Sequence, residues 1–185
     1  MKKHSHSKPI TAALKSQILS LSKGIPEVVL DKKSALWLSF ILHVGFEAGL
    51  RKREINEARP DWFNLHGRRI TVLPDSRGSS SRAIPMTDVL FEFLTDYPMT
   101  EDGFPKPDSV SEDELSRHNH SRLFRPFTQW AGTVLNCDLS HVQTSTMRST
   151  YACLLINKNV SVTQVAEWMG CPDELVREYS RGQQT

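Results

Sequence analysis

The chain has 185 residues, of which 38% are hydrophobic and 24% charged, with a formal net charge of +2. That is enough for one well-formed core, and the composition is that of a globular protein and not of a disordered chain. The most apolar stretch, ALWLSFILHVGF, is too short and too interrupted by Ser39 and His43 to cross a bilayer, and the basic opening MKKHSHSK leads into no signal-type apolar run, so a cytoplasmic protein is expected.

Residues 1–8 read as a basic, disordered terminus and 9–185 as a single domain. ITAALKSQILSLSKG carries Leu14, Ile18 and Leu21 on one face and ends at Gly24, which predicts an amphipathic helix. DKKSALWLSFILHVGFEAGL predicts a second, mostly buried helix that breaks between Gly45 and Gly49, and KREINEAR a short third that Pro60 ends. WFNL, RRITVL and RAIPM then read as short strands separated by HG and by PDSRGSSS, the pattern of a three-stranded antiparallel meander. Thr87 caps DVLFEFLTDY, and residues 98–110 form a long polar loop. SEDE from Ser111 has the form of a capping box for a helix through LSRHNHSRLFRPFTQW, interrupted at Pro126. STYACLLINKN and SVTQVAEWMG predict two more helices, the latter capped by Ser161 with Gln164, and Pro172 opens a last helix through ELVREYSR. The expected fold class is mainly α with one small antiparallel sheet.

Cys137, Cys153 and Cys171 stand 16 and 18 residues apart, a spacing of neither a disulfide framework nor a zinc site, so reduced thiols are expected. His4 and His6 have too few neighbouring ligands to make a metal site. Phosphate-loop, dinucleotide, zincin and nucleophile-elbow motifs are absent. Charge is distributed unevenly. Between Arg51 and Arg82 eight bases face four acids, a local +4, whereas between Asp88 and Leu115 nine acids face Lys106 alone. A polyanion-facing side and a solvent-facing side would produce this asymmetry, which makes nucleic acid a candidate partner. Lys52, Arg53, Arg68, Arg69 and Arg82 are the candidate DNA-contacting bases.

Tyr179 is four residues beyond Leu175, so by itself it reads as packing on one helix face. A phenol is a weak nucleophile unless its surroundings activate it. Three distant segments change that reading: AGLRKREI with Arg51, TMRSTYACLL with Arg148, and VAEWMGCPDELVREY ending in Tyr179. In order and spacing, with the arginines 97 positions apart and Tyr179 31 positions beyond Arg148, they resemble the catalytic domain of the tyrosine recombinase (phage integrase) family. SRAIPM resembles that family's strand after the lysine-bearing hairpin.

The resemblance implies a tyrosine recombinase catalytic fold that cleaves and rejoins DNA through a 3′-phosphotyrosyl intermediate, without metal or cofactor. Arg51 and Arg148 would clamp the phosphate, where two forked guanidiniums stabilise the charge that develops in the transition state, and Tyr179 would be the nucleophile. Double-stranded DNA is the implied partner, with other recombinase protomers assembled on it.

The chain departs from the family pattern at three places. Arg77 stands where the hairpin lysine would protonate the leaving 5′-oxygen, and an arginine is a poor proton donor. Ser145 replaces the histidine of the HxxR segment, with His141 one turn upstream, and Cys171 replaces the third residue of the LGH or LGW turn. Arg77 is therefore assigned to the leaving oxygen, and Ser145 and Cys171 to supporting places. No N-terminal core-binding domain is expected in a chain of this length. The alternative from the same residues is a catalytically impaired domain that binds DNA and regulates or accompanies an active recombinase.

Overall fold

The structure, a computed structural model, describes residues 8–74, 81–100, 103–107 and 119–181. Among the described residues eight α-helices and three strands follow in the order α1 (Ala12–Ser22), α2 (Lys32–Ala48), α3 (Lys52–Glu57), β1 (Phe63–Asn64), β2 (Arg69–Val72), β3 (Arg82–Pro85), α4 (Asp88–Asp96), α5 (Asn119–Leu135), α6 (Thr144–Asn157), α7 (Val162–Met169) and α8 (Asp173–Arg181). The strands form one antiparallel sheet in the order β1-β2-β3, with Ile70 opposite Ile84 and Val72 opposite Arg82. The expected class, mainly α with a small antiparallel sheet, is what the chain adopts.

Local chemistry explains most boundaries. Thr11, Asp31, Thr87 and Ser161 each accept a hydrogen bond from the backbone N–H three residues on, satisfying a donor that the first helical turn leaves open. At Ser161 only half of the expected reciprocal cap forms, because the Gln164 side chain donates to Glu167 instead (2.8 Å). The SEDE segment lies outside the described residues.

α2 is the centre of the core, with Trp37, Phe40, Ile41, Val44 and Phe46 buried. The Phe40 ring meets those of Trp37, Phe63 and Phe104, which joins the sheet to the helices. The break expected between Gly45 and Gly49 falls at the far end of that interval. The helix runs through Gly45 because α6 packs against this point, where Met147 fills the space a side chain would take. It stops at Gly49, whose φ of 60° is the left-handed conformation that ends helices. Pro126 fails to interrupt α5, although it removes one ladder bond. Leu123, Phe124, Phe127 and Ala131 are buried around it, and tertiary packing outweighs the lost bond.

α6, α7 and α8 enclose a second apolar cluster of Tyr151, Ala152, Cys153, Val165, Ala166, Met169, Val176 and Tyr179. This cluster sets where the last helix lies. Among the described residues no helix is long and apolar enough to cross a membrane.

Candidate active site

The site is organised by the C-terminal end of α7. The last carbonyls of a helix have no partner within it and carry the negative end of the helix dipole, so they attract cations. Here three successive carbonyls are taken by three guanidiniums from three different elements. Arg82 of β3 donates Nε–H to the Trp168 carbonyl (2.7 Å), Arg148 of α6 donates to that of Met169 (3.3 Å), and Arg51, just before α3, donates to that of Gly170. Gly170 has a φ of 61°, and a Cβ there would stand 3.1 Å from the Arg82 guanidinium carbon, so both backbone and packing call for glycine.

Arg148 is buried and also donates to the Gly49 carbonyl at the end of α2. Burial pushes its pKa down; Glu54, Tyr179 and Cys171 act the other way, and Arg51 adds to the depression. A guanidinium starts so far above neutrality that it keeps its charge. Glu54 is the balancing anion. It receives both Nη groups of Arg82 in a bidentate pair (2.8 Å each) and accepts the backbone N–H of Arg51 at 2.7 Å. Burial raises its pKa, but the Arg82 hydrogen bonds and charge, the Arg51 N–H and the Arg148 charge outweigh that and leave it below the ordinary value. The three guanidiniums outnumber the carboxylates near them, Glu54 and the Asp173 that acts on Cys171, so the cluster keeps an excess of positive charge suited to an anion.

Tyr179, on α8, is 9% exposed and sits in the cluster with Val176, close enough to Arg148 for its phenol to act on the charge there. The Cys153 thiol donates to its backbone carbonyl (3.0 Å), which ties α8 to α6. Cys171 is half-buried at the turn. Burial raises its pKa, Arg148, Arg51 and Arg82 oppose this, and the net shift is upward, so the group is a neutral S–H at pH 7. Arg51, Arg148 and Cys171 are thus gathered around one turn, and Tyr179 lies on the helix that follows it, within electrostatic range of Arg148. Ser145 lies exposed in the first turn of α6, three residues before Arg148 and so on the same face. His141 is exposed in the preceding loop, near enough to Asp138 to act on its charge. Arg77 lies outside the described residues, as do His4 and His6.

The candidate DNA-contacting bases separate into different environments. Arg69 is exposed on β2. Lys52 is half-buried in the first turn of α3, where desolvation lowers its pKa, and Arg53 pairs with Glu57 at 2.6 Å. Arg68 pairs with Asp88 and lies 4.1 Å from the Phe91 ring centroid, so its charge is shared with α4. Arg82 departs from the expectation: it is buried and committed to Glu54 and Trp168 instead of facing outward. Sequence reasoning did not single out Glu54, although its position three residues after Arg51 has the spacing of a capping box. The α7 carbonyls left no signal, because any residue supplies one. Among the described residues no cluster of three His, Cys, Asp or Glu is placed to hold a metal ion.

This fold, with its arginine pair and late tyrosine, is that of tyrosine recombinase catalytic domains. Residues 13–181 match the model of the phage integrase family, and the chain belongs to that family. Solved structures similar to it include the XerA recombinase (14% identity, TM-score 0.70, covering 95% of this chain and 62% of that one). The Tn1549 transposon integrase in complex with transposon right end DNA is 17% identical (TM-score 0.68, 97% and 63% covered). The XerH site-specific recombinase bound to difH substrate is 16% identical (TM-score 0.66, 94% and 50% covered). The chain therefore spans between half and two thirds of the length of these structures, and at such identities the likeness establishes the fold. No curated protein sequence matches the chain.

Proposed function

We propose that the protein acts in site-specific DNA recombination by strand cleavage and rejoining. In this reading the Tyr179 oxygen bonds to the phosphorus of one phosphodiester while the bond from phosphorus to the 5′-oxygen breaks. The phenol proton is lost to solvent or a nearby base, the departing 5′-oxygen takes up one proton from water, and the products are a 3′-phosphotyrosyl link and a 5′-hydroxyl. Arg51 and Arg148 hold the two non-bridging oxygens, whose charge rises in the transition state. Arg77 donates a hydrogen bond to the leaving oxygen, and Ser145 and Cys171 supply weaker donors beside the phosphate. Rejoining reverses the steps, and the energy of the broken bond is kept in the covalent intermediate.

The observation that supports this reading is that Arg51 and Arg148 bind adjacent carbonyls at the end of α7, with Tyr179 on the next helix within electrostatic range of Arg148. A nicked suicide duplex tests it, because the cleaved end diffuses away and traps the intermediate. A denaturant-resistant protein–DNA adduct that is lost in Tyr179→Phe is expected; wild-type protein that binds the duplex and never forms one would sink the proposal.

A second reading is supported by the residues at the proton-handling positions. Ser145 cannot act as a base at neutral pH, and Arg77 is a poor proton donor for the leaving oxygen. Acid and base assistance are each worth about 10²–10⁴-fold. A domain short of both would bind double-stranded DNA and regulate or accompany an active recombinase. That role predicts salt-dependent DNA binding with no adduct, even after Arg77→Lys and Ser145→His are introduced together.

A further inference from the structure

Arg82 is the first residue of β3, in the most basic part of the chain, and by charge alone it belongs with the DNA-contacting residues. Its surroundings contradict that role. Its side chain is 5% exposed, and all three kinds of guanidinium nitrogen are engaged: Nη1 and Nη2 on the two oxygens of Glu54, Nε on the Trp168 carbonyl. Gly170 packs against the same plane, where no side chain fits without moving it.

We infer that Arg82 is a positioning residue for the arginine cluster: it sets the place of Arg51 through Glu54, and the place of the turn leading to Tyr179 through Trp168. The Glu54 carboxylate that it orients accepts the Arg51 backbone N–H, so the point from which the Arg51 side chain projects is fixed by a buried ion pair. The Trp168 carbonyl that it holds is two residues before the Gly170 carbonyl that Arg51 itself binds. One rigid fork therefore locks together α3, the sheet and the end of α7. Lysine cannot copy it, because an ammonium reaches one carboxylate oxygen as a point charge and lacks the planar fork. The inference rests on the proposed reading of this cluster as the site of phosphate attack.

Three variants test it: Arg82→Lys, Arg82→Met and the double variant Glu54→Gln with Arg82→Met. The double variant removes both buried charges at once, so it avoids the isolated carboxylate that would unfold Arg82→Met, and urea unfolding checks that it is folded. The first readout needs no DNA: the Nε–H resonances of Arg51 and Arg148 in ¹⁵N NMR spectra of the free protein. The Arg51 signal is expected to broaden or vanish in the double variant and to be partly retained in Arg82→Lys. In the second readout, adduct formation on the suicide duplex falls about 10²-fold in the double variant while the dissociation constant for DNA stays within about threefold, since a small misplacement costs rate more than affinity.

An unchanged Arg51 resonance in the folded double variant overturns the inference. So does a loss of DNA affinity of about tenfold accompanied by a salt dependence shallower by roughly one phosphate contact, because that makes Arg82 a DNA ligand after all. If the wild-type protein forms no adduct, the proposed chemistry fails and the Arg51 resonance alone decides the role of Arg82.

Discussion

His43 lies within α2, is wholly inaccessible to solvent, and stacks on Phe93 with ring centroids 3.6 Å apart. Its Nδ1 hydrogen-bonds with the Ser39 carbonyl (2.8 Å), and its Nε2 has no hydrogen-bond partner among the described residues. Burial lowers its pKa from 6.5 to about 4; the Ser39 carbonyl opposes this, and the charges of Lys23 and Lys15 add to it. The folded state thus binds this proton more weakly than the unfolded chain does. The stability this confers is complete above pH 6.5 and is lost as pH falls toward about 4. At roughly 1.4 kcal/mol per pH unit the loss over the window approaches about 3 kcal/mol, a large part of a typical domain's stability. Urea unfolding followed by tryptophan fluorescence at pH 7.5, 6.5, 5.5 and about 4.5 measures it, with His43→Leu as reference because leucine fills similar space and does not titrate. Acid loss from the carboxylates Asp31 and Glu54, whose pKa values are lowered, is common to both proteins and cancels in the difference. The wild-type curve should drop below that of the variant by roughly 2–3 kcal/mol between pH 6.5 and about 4.5. Parallel curves over that range would refute the assignment of a buried, neutral His43.

Further outcomes are expected at the site. Gly170→Ala forces a left-handed backbone on alanine and presses on Arg82, so it should cost about 1–3 kcal/mol in urea unfolding and slow adduct formation. Gly49→Ala has the same backbone penalty and puts a methyl group 2.5 Å from the Tyr151 ring; a calorimetric Tm several degrees lower is expected, with the Arg148 anchor disturbed as well. Arg148→Lys should fold yet slow adduct formation by at least about 10²-fold, because one ammonium cannot hold both the Gly49 carbonyl and a phosphate oxygen as a fork. A duplex with sulfur in place of the 5′-bridging oxygen at the cleaved bond should be cut about 10²-fold faster than ordinary DNA, since a thiolate leaves without the acid that Arg77 is poorly suited to be.

The helices were legible because their signals are local. A side chain three residues before a backbone N–H makes a cap wherever it occurs, and apolar spacing at Leu14, Ile18 and Leu21 needs no tertiary knowledge. Pro126 misled for the opposite reason: it weakens an isolated helix, and only the packing of four apolar residues around it shows why α5 continues, just as only the packing of α6 on α2 shows why the break expected between Gly45 and Gly49 falls at Gly49. At the site, Arg51, Arg148 and Tyr179 were visible through their order along the chain. Arg82 was visible only as a charge. Whether an arginine faces water or a carboxylate depends on Glu54, 28 residues away, and on a carbonyl 86 residues away, and neither relation is written in local sequence.

The turn after α7 holds its three arginines by backbone oxygen alone. Those ligands do not change when a side chain does, so Trp168 and Met169 are replaceable, as far as the guanidiniums are concerned, by anything that keeps the helix end in place. Gly170 is the exception, because its missing side chain makes the room. Such a junction tolerates a change of letters, here MGC, while its geometry stays put; what this chain has to keep is the shape of the helix end and the three cations that read it.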